Sequence, residues 1–328
     1  MRSATAVAPR RYIWIAGVSL LAAAGLLGLA VGGVRLSWSD LLSGEGAPAE
    51  TARLIVSLRA PRVALAALVG AALALSGAAM QALLKNPLAD PFLLGTSGGA
   101  AAGAALATLA GVSPLASPVA AFLGAIASSL GVATLARRGG RLDLQRLLLY
   151  GLIANAFFSA VLLGVFSVAS SSAARTMLFW MMGSLADATL GRVVSLAPYA
   201  ALGSVILGLY AARLNLIAVG EENAAALGVD TEAAKRSVFL AASMLTGAAV
   251  AFAGIIGFVG LLVPHAARAV VGNDQRRLLP LSAVGGAALL VTADALSRVA
   301  FAPAELPIGA VTAAVGAPLF AWMLLREP

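Results

Sequence analysis

The 328-residue chain is 61% apolar before its 35 glycines are added, only 11% charged, and carries a formal net charge of +8. Soluble domains are about a quarter charged, so this composition lacks a polar coat and excludes a soluble enzyme, a nucleic-acid-binding domain and a disordered regulator. It predicts an all-α integral membrane protein forming a single transmembrane domain, its basic residues fixing orientation in the lipid bilayer rather than binding nucleic acid.

Taken in chain order, apolar runs broken at charges, prolines and polar clusters give about ten transmembrane helices, since a span needs roughly 20 residues. They fall near 13–34, 60–84, 92–111, 115–136, 145–170, 192–213, 233–253, 254–271, 279–300 and 307–325. The first follows Arg10 and Arg11 and is too long for a signal h-region, so it is expected to be a retained helix. The run 254–271 is short, and 172–190 leaves room for a surface helix. With the N-terminus inside, 15 of the 22 Lys and Arg residues fall on inner segments and 7 on outer ones. The excess of inner positive charge places both termini in the cytoplasm.

The segments GAALALSG (70–77) and GAAVAFAG (247–254) match at an offset of 177, which also sets Pro87 on Pro264. Two readings fit. Ala/Gly-rich helices match by chance, their small residues serving close packing, or the chain holds an inverted five-helix repeat, as many transporters do.

Chemistry-bearing residues are sparse. Without cysteine there are no disulfides or thiolate metal sites, and a lone His265 argues against a histidine-based metal or haem site. The two lysines, Lys85 and Lys235, lack the context of a nucleotide-binding P-loop. No cofactor is expected on this chain; any ATP and Mg²⁺ belong to a partner. Three clusters stand out: RAPR (59–62) followed by NPLADP (86–91), GFVGLLVPHAAR (257–268), and Asp294, Arg298 and ELPIG (305–309). Broken backbone at a membrane boundary is tolerated only where protein or a watery cavity surrounds it. Asp294, inside a span, is expected to pair with Arg298 one turn on.

In order and spacing, the NPLADP, GLLVPH and ELPIG strings resemble the FecCD family of ATP-binding cassette (ABC) importer permeases, the membrane subunits that import ferric siderophores, haem and vitamin B12. The resemblance covers nearly the whole chain. It implies a type II importer permease fold, a homodimer around a central path, two ATPase subunits beneath, a periplasmic substrate-binding protein above, and a bacterial inner-membrane location. It also implies roles. Arg59, Arg62 and Arg298 become docking points for carboxylates of the binding protein, with membrane anchoring as the plainer alternative; for Glu305 two readings stand equally, a place on the same face or, within ELPIG, the shaping of a helix entrance. The segment 220–230 becomes a coupling helix against the ATPase, carried by Glu221, Glu222, Ala225, Leu227 and Gly228. Asn86 and Leu88, with Asp143 and Leu144, become the cytoplasmic gate. His265 is expected to be a structural hydrogen-bonding residue. An ion-coupled secondary transporter is the alternative, but Asp294 is nearly the only intramembrane acid. A membrane prenyl transferase would need an acidic Mg²⁺-binding cluster that the sequence lacks.

Overall fold

The computed structural model describes residues 10–32, 47–113 and 116–325. Among them are twelve helices. They are α1 (Arg10–Ala30), α2 (Ala47–Leu83), α3 (Thr96–Leu109), α4 (Ser117–Leu135), α5 (Leu144–Val168), α6 (Ser171–Met181) and α7 (Leu190–Val219). There follow α8 (Glu221–Ala226), α9 (Thr231–Ala253), α10 (Val259–Val271), α11 (Gln275–Val299) and α12 (Ile308–Leu325). A 3₁₀ turn over Pro91–Leu94 precedes α3, and a two-stranded hairpin, β1 (Arg137–Arg138) and β2 (Arg141–Leu142), joins α4 to α5.

All ten expected spans fall on helices, and seven helices are long and apolar enough to cross a membrane. The other three spans, α3, α10 and α12, are shorter. Two of these are spans with a broken first half: the 3₁₀ turn leads into α3, and irregular backbone over 254–258 leads into α10. Both breaks lie largely within protein, where backbone groups can be satisfied away from lipid. The surface helix in 172–190 is present as α6, set on its Ser170 cap.

One boundary differs in a way that matters. The second span was expected to start at 60, because Pro61 and two arginines interrupt the apolar run, but α2 begins at Ala47 and carries Pro61 inside it. At 1.5 Å per residue its 37 residues reach about 55 Å, well beyond a hydrocarbon core of about 30 Å. Arg59 and Arg62 therefore sit within a helix rather than before one.

The bundle is built around α2, α9 and α11, the three spans that are mostly buried, while α1, α5 and α7 turn most of their surface outward. Glycines set the closeness of the central contacts. A Cβ on Gly70 would strike the Gly286 carbonyl of α11, and one on Gly77 would strike the Gly260 carbonyl of α10. Buried hydroxyls add specificity: Ser76 on α2 bonds Thr246 at 2.6 Å and the Ala242 carbonyl at 2.9 Å, both on α9. The matched glycine segments thus lie on two neighbouring core helices. Beyond them, Pro87 lies in the turn after α2 and Pro264 inside α10, while each of the two helices is followed by a span with a broken first half.

Segments assigned to one side by the charge count meet in the structure. At one end Ile308 and Gly309 donate to the carbonyls of Gly183 and Met182, and Ser184 donates to that of Ala253. At the other, Asn215 of α7 donates to Asp274 at 2.7 Å and accepts from the Gln275 amide at 2.8 Å. Arg2, Arg35 and Arg326 of that count lie outside the described residues.

Candidate functional site: two polar ends of one bundle

The end expected to face outward carries an ion cluster. Asp294, 1% exposed on α11, receives Arg62 Nε at 2.8 Å and lies 3.2 Å from Arg298 Nε. The expected pairing with Arg298 is present, and Arg62, 232 residues away, is a second partner that sequence spacing does not reveal. Arg62 also reaches Glu305 at 2.9 Å. Arg59 and Arg298 turn inward onto α1: Arg59 donates to the carbonyls of Leu29 and Ala30, and Arg298 to that of Gly28. These carbonyls belong to the last turn of α1, which has no intrahelical donors for them. Arg59 and Arg298 are only 9% and 5% exposed, so the Arg62–Glu305 pair is the part of the cluster that reaches the rim. Beside that pair opens a basin of about 560 Å³, also lined by Asp187, Arg192, Phe179 and Trp180.

At the other end the sequence-derived gate and coupling residues come together in part. α8 is the expected short helix. Its last turn closes with Gly228 at φ +81°, whose amide donates to the Ala225 carbonyl, while Val229 donates to Ala224. Glu222, Ala225, Leu227 and Gly228 are exposed, and Glu221 is half-buried. Asp143 caps α5, its carboxylate accepting from the amides of Gln145 and Arg146 at 3.0 and 3.1 Å. An open groove of about 370 Å³ brings Asp143 and Leu144 beside Glu221 and Lys235. Two roles inferred from separate stretches of sequence thus share one groove.

The other gate pair stands on its own turn. Asn86 accepts from the Leu88 amide at 2.9 Å, folding the chain back after α2 and leaving Leu88 45% exposed. Among the described residues no hydrogen bond or ion pair joins Asn86 or Leu88 to Asp143 or Leu144. Asp90, which follows, accepts from the Phe92 amide at 2.8 Å, and burial pushes its carboxyl up to about 6 despite that bond. His265 sets its ring edge-on to Phe320, with centroids 6.0 Å apart. Gln81 of α2 accepts from Arg268 of α10 at 3.0 Å and donates to the Gly260 carbonyl. Sequence reasoning passed over Lys235 and Glu232. Their one signal was a Lys in a chain with only two, three residues after a Glu at the start of a span.

The chain matches the FecCD transport family over residues 20–326. It is 43% identical to the cobalamin import system permease protein BtuC of Halobacterium salinarum, across 88% of this chain and 79% of that one. It is 44% identical to the hemin transport system permease protein HmuU of Yersinia pestis, across 83% of both. A solved inward-facing ABC transporter described as of metal-chelate type superposes with a TM-score of 0.87 at 31% identity, covering 97% of this chain and 100% of the other.

Proposed function

The chain belongs to the FecCD transport family, and on that premise we propose that it moves a large metal chelate (haem, vitamin B12 or a ferric siderophore) across the bacterial inner membrane as a homodimer with both termini in the cytoplasm. Its part is that of the permease subunit of an ABC importer, a transport component and not an enzyme. Two ATPase subunits and a periplasmic binding protein complete the assembly, and ATP with Mg²⁺ acts on the ATPase.

The observation that carries this reading is the separation of two polar ends by a bundle whose buried acid, Asp294, is already paired twice. A secondary transporter needs an intramembrane acid available to a coupling ion; an importer driven from outside needs two docking ends instead. α8, through Glu221, Glu222, Ala225, Leu227 and Gly228, supplies the ATPase contact. Asn86, Leu88, Asp143 and Leu144 form the gate. Docking of the binding protein uses the face built on Arg59, Arg62 and Arg298, with Arg59 and Arg298 bracing it and Arg62 meeting the incoming carboxylate. That carboxylate must compete with Glu305 for Arg62. Glu305→Ala should then tighten binding-protein association a few-fold and Arg62→Ala weaken it, in line with about 0.2–1 kcal/mol for an exposed pair. Surface plasmon resonance on nanodiscs measures both; unchanged affinities in both variants exclude this docking face.

The substrate class is tested by reconstituting the permease with its ATPase and binding protein in liposomes and offering haemin, cyanocobalamin and ferrichrome separately. ATP-dependent accumulation of one of them is expected. An assembled, hydrolysing complex that accumulates none excludes the chelate class.

A further inference from the structure

The groove beneath α8 holds a buried cation that neither the gate nor the coupling assignment uses. Lys235, 4% exposed, stands at the start of the second turn of α9. Its ammonium carries three N–H donors, and three oxygens surround it. They are Glu221 Oε2 of α8 at 3.0 Å, Glu232 Oε2 of α9 at 3.3 Å and the Leu142 carbonyl of β2 at 3.0 Å. One charge therefore closes a triangle between three segments.

The hairpin is held a second time. The Leu142 amide donates to Glu232 Oε1 at 2.8 Å, and Arg236 donates both to that oxygen at 2.9 Å and to the Gly140 carbonyl at 2.7 Å. Both backbone groups of Leu142 are thus bound to the first two turns of α9, and the next residue, Asp143, caps α5. The tie to α8 adds a directed polar bond to its apolar packing. α8 is six residues long, lies between Gly220 and Gly228, and is otherwise held by Ala224, buried against Ile217 of α7 and Ala234 of α9. Glu221, the first residue of α8, is its polar tie to Lys235.

A buried charge is a weak source of stability, since an apolar residue of similar volume is often as good or better, but it fixes geometry through directed bonds. We propose that Lys235 is a positioning residue that makes α8, the 137–142 hairpin and the first turn of α5 one rigid unit, so that a displacement of α8 carries Asp143 and Leu144 with it. The proposal rests on the reading of α8 as the coupling helix and adds the part that would convey its motion to the gate.

The absence of native cysteine makes the test direct. Ala226→Cys on α8 and Gln145→Cys on α5, both exposed, are spin-labelled in the full complex in nanodiscs. Pulsed electron resonance then measures their separation without nucleotide and with ATP plus vanadate. The expected result is one narrow distance shared by both states, which Lys235→Met about doubles in width or makes state-dependent, and which Lys235→Arg restores at least in part. A separation that changes between states with Lys235 intact, or one that Lys235→Met leaves untouched, overturns the proposal. If Lys235→Met is not recovered from the membrane, Glu221→Ala cuts the same tie from a half-exposed position and is judged by the same two results. Failure of the coupling reading shows separately: the Ala226 label alone would keep its mobility when the ATPase binds.

Discussion

Asp294 stands between Arg62 and Arg298 with 1% of its surface exposed, and this makes its loss costly. Removing one partner of a buried ion pair leaves uncompensated charge and costs about 3–5 kcal/mol. Asp294→Ala should therefore lower the thermal unfolding midpoint in detergent sharply and cut the yield of inserted protein, whereas Leu88→Ala, at an exposed position, should change neither. Equal midpoints for the two variants would exclude this role. Asp90 acts in the opposite sense. Its carboxyl titrates near 6 in the fold, because of burial, against an ordinary value of 3.8. Below 3.8 it is protonated folded and unfolded, so it imposes no penalty. Between 3.8 and 6 the folded chain binds the proton more tightly, so stability falls as pH rises and the full penalty holds above 6. Asp90→Asn keeps a capping oxygen and removes the charge. Its unfolding midpoint should exceed that of the unchanged protein at pH 7.5 and approach it as pH falls towards 4; parallel pH profiles would exclude the burial account.

Among the elements, α8 shows what a single glycine decides. Gly228 holds φ +81°, and a side chain there would meet open space. Left-handed backbone costs a side-chain-bearing residue roughly 1–2 kcal/mol, while nothing blocks the side chain itself. Gly228→Ala thus carries the strain alone, and Gly228→Arg carries the same strain plus bulk and charge on the exposed face. If that face meets the ATPase, Gly228→Arg should lose ATPase co-purification and coupled hydrolysis far more than Gly228→Ala, with both variants inserted normally. Equal behaviour of the two would assign the effect to the fold of α8 instead. This helix was legible in the sequence because an acidic, Ala-rich stretch ending in Gly interrupts two apolar runs. The start of α2 was not, because Pro61 and the arginines read as a boundary although their side chains are held by partners on α1, α11 and the Glu305 loop. The Lys235 triangle was legible only in part: Glu232 stands at helical spacing three residues before Lys235, but the oxygens from residues 142 and 221 come from other segments that no local spacing links to it.

For the whole molecule, orientation decides which end meets which partner. The spans alternate so that the Arg62–Glu305 rim and the α8 groove lie at opposite ends of the bundle, and every docking assignment inverts if the chain inserts the other way. The 15-to-7 division of basic residues argues for α8 inside. Basic residues near an anionic cytoplasmic leaflet gain about 1 kcal/mol each, and the hairpin arginines 137, 138 and 141 are exposed beside α8. Single reporters test this, because the chain has no cysteine to remove. Asp187→Cys lies on the basin beside Arg62, and Ala226→Cys lies on α8; both positions are exposed. In spheroplasts a membrane-impermeant maleimide should label the Asp187→Cys protein at once and the Ala226→Cys protein only after permeabilisation. The reverse pattern would put the Arg62–Glu305 rim in the cytoplasm, where a periplasmic protein cannot reach it, and α8 where no ATPase resides. Labelling of both proteins in sealed spheroplasts would break the alternation of spans itself, since an odd number of crossings separates residue 187 from residue 226 through α7 alone.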